Sequence, residues 1–179
     1  MKKLLLLLFI APALLFSCDK IDEANTVDFD TTVSMEIPVS VAAPTAIVQK
    51  SAEADHPFSE SKTYSLSSNA DIKDYLNKLQ SIDIEDFAIM FTGLGEGEVI
   101  NKLDISVPDV GILVTFTNVS NADTSPTPSA IFYPIIQQAG NKLNATKSLT
   151  IMVSGTTNTA PMDFSVNMDF DLHVEAKAL

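Results

Sequence analysis

Apolar and polar residues alternate strictly at both ends of the chain. From Val27 to Val41 the apolar residues Val27, Phe29, Val33, Met35, Ile37, Val39 and Val41 take odd positions, while Asp28, Asp30, Thr32, Ser34, Glu36 and Ser40 take even ones. Successive side chains on a strand point to opposite faces, so the run predicts a long strand with one buried face. Pro38 falls on the polar face. Lacking an amide for the ladder, it points to an edge strand or a bulge. The C-terminus mirrors this pattern. Met162, Phe164, Val166, Met168, Phe170, Leu172, Val174 and Ala176 alternate with Asp163, Ser165, Asn167, Asp169, Asp171, His173 and Glu175. Leu149, Ile151 and Val153 alternate before it, and Gly155 to Pro161 reads as a turn, so the last two strands are expected to form a hairpin.

Weaker strands lie between. Residues 56–66 carry Phe58, Tyr64 and Leu66 on one face. Ile82 and Ile84 share a register that slips by one at Glu85–Asp86 before Phe87, Ile89 and Phe91 resume it, as a bulge would cause. Residues 99–107 and 110–116 are two more strands. Gly93 to Gly97 reads as the turn before the first of these, and a strand rather than a helix follows, which argues against a phosphate cradle. Two segments have helical spacing. Ser68–Asp71 supplies cap-like chemistry ahead of Ile72, Tyr75, Leu76 and Leu79. A second helix is expected from Pro134 to Leu143, with Gly140 counting against it. About seven strands and two short helices define a mainly β chain. The expected fold is an antiparallel β-sandwich with Greek-key or immunoglobulin-like connections, formed by one domain over residues 27–179. No Cys…Trp…Cys core is present, which excludes a standard antibody-type domain.

The first 18 residues, MKKLLLLLFIAPALLFSC, are of another kind. Lys2 and Lys3 precede an apolar stretch from Leu4 to Phe16, too short for the roughly 20 residues that span a bilayer as a helix. Residues 1–17 therefore read as a secretory signal. Leu15-Phe16-Ser17-Cys18 resembles the lipobox of bacterial lipoproteins, and the resemblance implies that Cys18, the only cysteine in the chain, is acylated and becomes the mature N-terminus. Residues 18–26 then form a short anchored tether. Its acids Asp19, Asp22 and Glu23 resemble the surface-export signals of Bacteroidota lipoproteins. That resemblance implies an outer-membrane location, exposed at the cell surface or on the periplasmic side. Under the enterobacterial sorting convention, Asp19 next to the cysteine would imply inner-membrane retention instead. The layout as a whole is similar to small flavobacterial envelope lipoproteins.

Charge narrows the partners. The chain has 11 Lys, no Arg and 23 acids, for a net charge of −12. Loss of residues 1–17 leaves 9 Lys against 23 acids, a net charge of −14. Such a chain has no electrostatic footprint for phosphate backbones, so nucleic acid is excluded as a partner. A protein or glycan partner stays open.

No motif assigns chemistry. His56 and His173 lack a neighbouring nucleophile, and no Gly-x-Ser-x-Gly elbow exists. No cofactor motif and no metal motif is present, no catalytic residue is assigned, and the chain reads as a non-enzyme. The acids Asp163, Asp169 and Asp171, with Asn167, share a face with one another, as do Asp28 and Asp30. If the two strands are neighbours, oxygens could meet at Ca²⁺, but residues two apart on a strand are separated by about 6.8 Å. A solvated face is the simpler reading. Met90 and Met152 lie on the register opposite their strands' apolar face and are read as buried beneath a helix, with an apolar ligand pocket as the alternative. Asp30-Thr31-Thr32 matches a short O-glycosylation signal of Bacteroidota. The expected function is a structural, adhesion or accessory role on the envelope. The alternative is a module that binds a glycan or small apolar ligand beside an outer-membrane transporter.

Overall fold

The computed structural model describes residues 25–43, 55–123 and 125–178. Residues 1–17, Cys18 and the tether up to Ala24 lie outside them. The strands are β1 (Thr26–Val41), β2 (His56–Ser65), β3 (Leu79–Thr92), β4 (Val99–Val107), β5 (Gly111–Ser120), β6 (Ala130–Ile131), β7 (Ser148–Thr157) and β8 (Met162–Lys177). Among the described residues one α-helix, α1 (Tyr133–Thr146), lies between β6 and β7. The strands form two antiparallel sheets, ordered β1-β8-β3 and β2-β7-β4-β5-β6. This is the expected mainly β sandwich.

The two strictly alternating segments pair with each other. β1 and β8 run antiparallel from Thr26↔Lys177 to Val41↔Met162 without a shift in register. Val33 meets Phe170, Met35 meets Met168, Ile37 meets Val166 and Val39 meets Phe164, so apolar faces apolar at the inward pairs, with Thr31 opposite Leu172 as the exception. A slip by one residue would turn the slipped strand's apolar set to solvent, and burial therefore fixes this register strongly. β3 flanks β8 on the other side, with the expected bulge between Ile84 and Asp86. The sheets meet through edge-to-face ring pairs. Phe91 of β3 packs on Phe116 of β5 at 5.3 Å, and Phe58 of β2 packs on Phe164 of β8 at 5.4 Å. Pro38 does lie on an edge strand. There the Lys62 ammonium of β2 reaches across to donate to the Glu36 carbonyl at 3.0 Å, covering an acceptor of the open edge.

The expected hairpin of the last two strands is not formed. β7 inserts between β2 and β4, whereas β8 inserts between β1 and β3, so residues 158–161 cross from one sheet to the other. Period two tells which face is buried but not which sheet receives the strand. Gly155 lies inside β7 rather than in the turn.

The first expected helix is replaced by two 3-10 turns, Leu66–Ser68 and Lys73–Tyr75. Cap chemistry is present, since the Asn69 Oδ1 accepts from the Asp71 and Ile72 amides at 2.8 and 3.2 Å. The Asn69 side chain is itself buried and donates to Thr31, while Leu66 and Ile72 both enter the core. β3 then begins at Leu79, which leaves no room for a helix to propagate.

The second helix forms, one residue longer than expected at its N-terminal end and three at its C-terminal end, and buries Ile136, Ala139, Gly140 and Leu143. The glycine that weakened the prediction is what lets the helix approach β3. A Cβ at Gly140 would lie 2.7 Å from the Ile82 carbonyl oxygen. Gly140→Ala gains about 1 kcal/mol of helix propensity but forces helix and strand apart. The net expectation is a loss of about 2 kcal/mol in a denaturant titration.

Candidate functional surfaces

The outer face of the three-stranded sheet gathers the sequence-predicted acids. β1 and β8 are neighbours, so Asp28 stands opposite Glu175, Asp30 opposite His173, and Ser40 opposite Asp163. β3 adds Asp83 opposite His173 and Asp86 opposite Asp171. Flanking residues satisfy the central strand's carboxylates. Thr32 donates to Asp171 at 2.7 Å, Ser40 to Asp163 at 2.6 Å and Ser81 to Glu175 at 3.0 Å. These cross-strand pairs support the sheet. Among the described residues, no group of three or more His, Cys, Asp or Glu has the arrangement to hold a metal ion.

His173 lies at the centre of this face. Its Nδ1 lies 2.8 Å from the Asp30 carboxylate, and its side chain is 34% exposed. The hydrogen bond to Asp30 raises its pKa above 6.5, with further upward pull from the charges of Asp30, Glu85 and Asp28, against a smaller lowering by desolvation. A raised folded-state pKa means that the pair stabilises the fold fully below about pH 6.5. That contribution is lost as pH rises through the folded value. The imidazole resonances are expected to titrate above 6.5 in NMR, and Asp30→Asn should bring the midpoint back toward 6.5. A midpoint unchanged by Asp30→Asn would contradict the pairing. His56 begins β2 opposite Thr157, far from any nucleophile-base arrangement.

Among the described residues, the spaces found within the core are small. The two spaces within the core, beside Tyr64 and Leu143 and beside Phe87 and Ile136, have volumes of about 20 and 10 Å³. Each has room for about one water at most. An open hollow of about 460 Å³ lies at the end of the sheet near Pro38, Glu60, Thr92 and Asp163. A second, of about 300 Å³, lies between Phe87, Phe116 and Pro126–Pro128.

Met90 corrects its expectation. It is 45% exposed on the outer face, opposite Asn167, because α1 packs on the first half of β3 and does not reach it. Met152 is half-buried on the outer face of the larger sheet, opposite Ser61 and Ser106. Thr31 is also corrected as a modification site. It is only 9% exposed, and its hydroxyl donates to Asp71 at 2.9 Å while accepting from Asn69. A glycosyl group there would have to displace that buried network.

Sequence reasoning did not assemble one surface. Ile112 at the start of β5, Ile131 of β6, and Phe132 and Tyr133 at the start of α1 are large apolar residues left exposed, Tyr133 at 66%. The Phe132 amide donates to the Leu113 carbonyl at 2.9 Å, which holds the segment against β5 and brings the four residues to one corner. No periodicity marks them in the sequence, since Ile131–Tyr133 are three consecutive residues at the junction of β6 and α1, and Ile112 lies 19 positions earlier in β5. The lipobox residues Leu15–Cys18 lie outside the described residues. Among the described residues, no helix is long and apolar enough to cross a membrane.

No family model matches the chain, and no curated protein matches it. Among solved structures, a chain of desmodium yellow mottle tymovirus is similar at 10% identity and a TM-score of 0.28, over 84% of both chains. A likeness this slight carries no argument about function.

Proposed function

We propose that the protein is a non-enzymatic domain of the cell envelope, anchored in the outer membrane through acylated Cys18, with a structural, adhesion or accessory role exercised by protein contact. The anchoring half of the reading rests on the sequence Leu15–Cys18 and on the position of the chain's only cysteine. The contact half rests on the corner of Ile112, Ile131, Phe132 and Tyr133. Exposed apolar clusters on a polar surface mark interaction sites, and aromatic residues are enriched at such interfaces. The small spaces within the described core speak against a small apolar ligand held inside the sandwich.

A second reading, a glycan-binding module associated with an outer-membrane transporter, draws on the same exposed aromatic pair, since sugars stack on aromatic faces. One comparison separates the two. Phe132→Ser with Tyr133→Ser should abolish recovery of the partner that co-purifies with the lipidated wild-type protein, while the melting temperature changes little. Recovery of the same partner by the double variant would contradict the assigned surface. Saturable binding to an isolated oligosaccharide, lost in the double variant, would support the glycan reading instead.

A further inference from the structure

We infer that the second half of β3, residues 87–92, is a docking edge for an extended segment of a partner protein, one that alternates apolar residues with Lys or Arg and adds to the smaller sheet as a strand. It uses other residues than the apolar corner assigned above and does not depend on it.

β3 is the last strand of its sheet and pairs with β8 alone. α1 covers its first half, where Asn144 donates to the Gln80 carbonyl at 2.8 Å and Gly140 lies against the Ile82 carbonyl. Past the bulge, the register with β8 runs unbroken from Asp86 to Thr92. Among the described residues, no backbone hydrogen bond reaches residues 87–92 from the side away from β8. Every second residue there turns its amide and carbonyl to that side, which makes a template for another strand.

The other described edges are blunted. β1 carries Pro38 and has its Glu36 carbonyl covered by Lys62. β2 carries Pro57, Glu60 and Lys62, and β6 has only two residues. β5, past its pairing with β6, turns at Asn118, whose φ is 54°. Charge, proline and local kinks are how sheets protect their edges. Phe87-Ala88-Ile89-Met90-Phe91-Thr92 has none of them. Beside this edge opens the hollow of about 300 Å³, where Phe87, Ile89, Phe116, Pro126 and Pro128 form an apolar wall. The inward side chains of an added strand would enter it.

Charge selects the partner. On the outer face Asp86 stands opposite Asp171, and Ala88 opposite Asp169, with Glu85 at the bulge. Asp171 accepts from Thr32 and Asp86 from the Phe87 amide, hydrogen bonds that leave both charges in place. No cation offsets these four acids. His173 is bonded to Asp30, Lys102 is paired with Asp104, and Lys142 donates to the Pro108 carbonyl. An added strand would lie two strand spacings, about 10 Å, from Asp169. Ala88 between them is small, so a Lys or Arg side chain laid across it reaches that carboxylate. A second copy of this chain is disfavoured as the occupant, because it would bring its own Asp86, Asp169 and Asp171 into the same sheet with no cation to meet them. Strand addition of this kind draws affinity from main-chain hydrogen bonds and specificity from alternate side chains.

The test uses the full mature chain and a short synthetic peptide alternating lysine with valine. Bound peptide is expected to slow amide hydrogen exchange at residues 87–92 and not on β2 or β5. The same peptide with N-methylated valines, and one alternating glutamate with valine, should not bind. Asp169→Asn should weaken binding several-fold, and Ala88→Lys with Met90→Lys about ten-fold. Both alter exposed outer-face positions, and thermal melts confirm that each variant folds. Phe132→Ser with Tyr133→Ser should leave binding unchanged, which separates this edge from the apolar corner. No binding, equal binding of the N-methylated peptide, or protection that spares residues 87–92 overturns the inference. A dimer in sedimentation that protects residues 87–92 without peptide overturns the choice of partner and assigns the edge to a second copy.

Discussion

Gly155→Ala is expected to leave the chain without a cooperative unfolding transition. Gly155 lies in β7, the strand between β2 and β4, opposite Phe58 on one side and Leu103 on the other. The β4–β7 ladder is irregular between Ile100 and Lys102, and this brings the two backbones unusually close beside Gly155. A Cβ there would collide with the Lys102 carbonyl oxygen and would also come within 3.0 Å of the Leu103 Cα. Neither atom belongs to a flexible side chain. β4 is held on its far side by β5, and Leu103 is fully buried, so the strand has nowhere to retreat. Small-to-large changes in a packed interior cost about 1–3 kcal/mol when side chains can adjust. A backbone collision between central strands should exceed about 4 kcal/mol, against a total stability of about 5–15 kcal/mol for an ordinary domain. Thermal unfolding followed by circular dichroism checks this, with Thr156→Ala, a half-buried neighbour on the same strand, as the control. A Gly155→Ala transition within about 1 kcal/mol of wild type would show that the sheet can spread there.

Cys18→Ala is expected to move the protein from the membrane fraction to the soluble fraction. Several acyl chains at about 0.8 kcal/mol per buried CH₂ hold a protein on a bilayer stably, and one amino-acid change removes the attachment point for all of them. The remaining apolar stretch, Leu4–Phe16, is too short to span the bilayer in their place. The domain should stay folded, since the substitution lies outside the segment Val33–Val174 that supplies the described core. Unchanged membrane association of a folded Cys18→Ala protein would refute the anchor.

The parts of this fold that could be read in the sequence are those set by local pattern. Strict alternation marked β1 and β8, and the slip at Glu85–Asp86 marked the bulge, because each is decided within a few residues. Partner choice is not local. β7 and β8 are adjacent in sequence yet enter different sheets, and alternation reads the same in either. The segment 66–78 failed as a helix because the Asn69 side chain is buried against Thr31, a contact between residues 38 positions apart. Gly140 and Gly155 looked like a weak helix position and a turn residue. Both are instead places where another backbone passes close, a demand that comes only from the packed neighbour. For the candidate surfaces, the acids were foreseen on one face, but their hydroxyl partners came from the pairing of strands. The apolar corner was not assembled because Ile112 and Phe132 meet only once β5 and β6 pair.

The most direct test of the account is the mass of the mature N-terminus, measured on protein extracted with detergent from the outer-membrane fraction. The account predicts an N-terminal peptide that begins at Cys18 and carries a diacylglyceryl thioether. An unmodified Cys18, or a chain that retains residues 1–17, would contradict it.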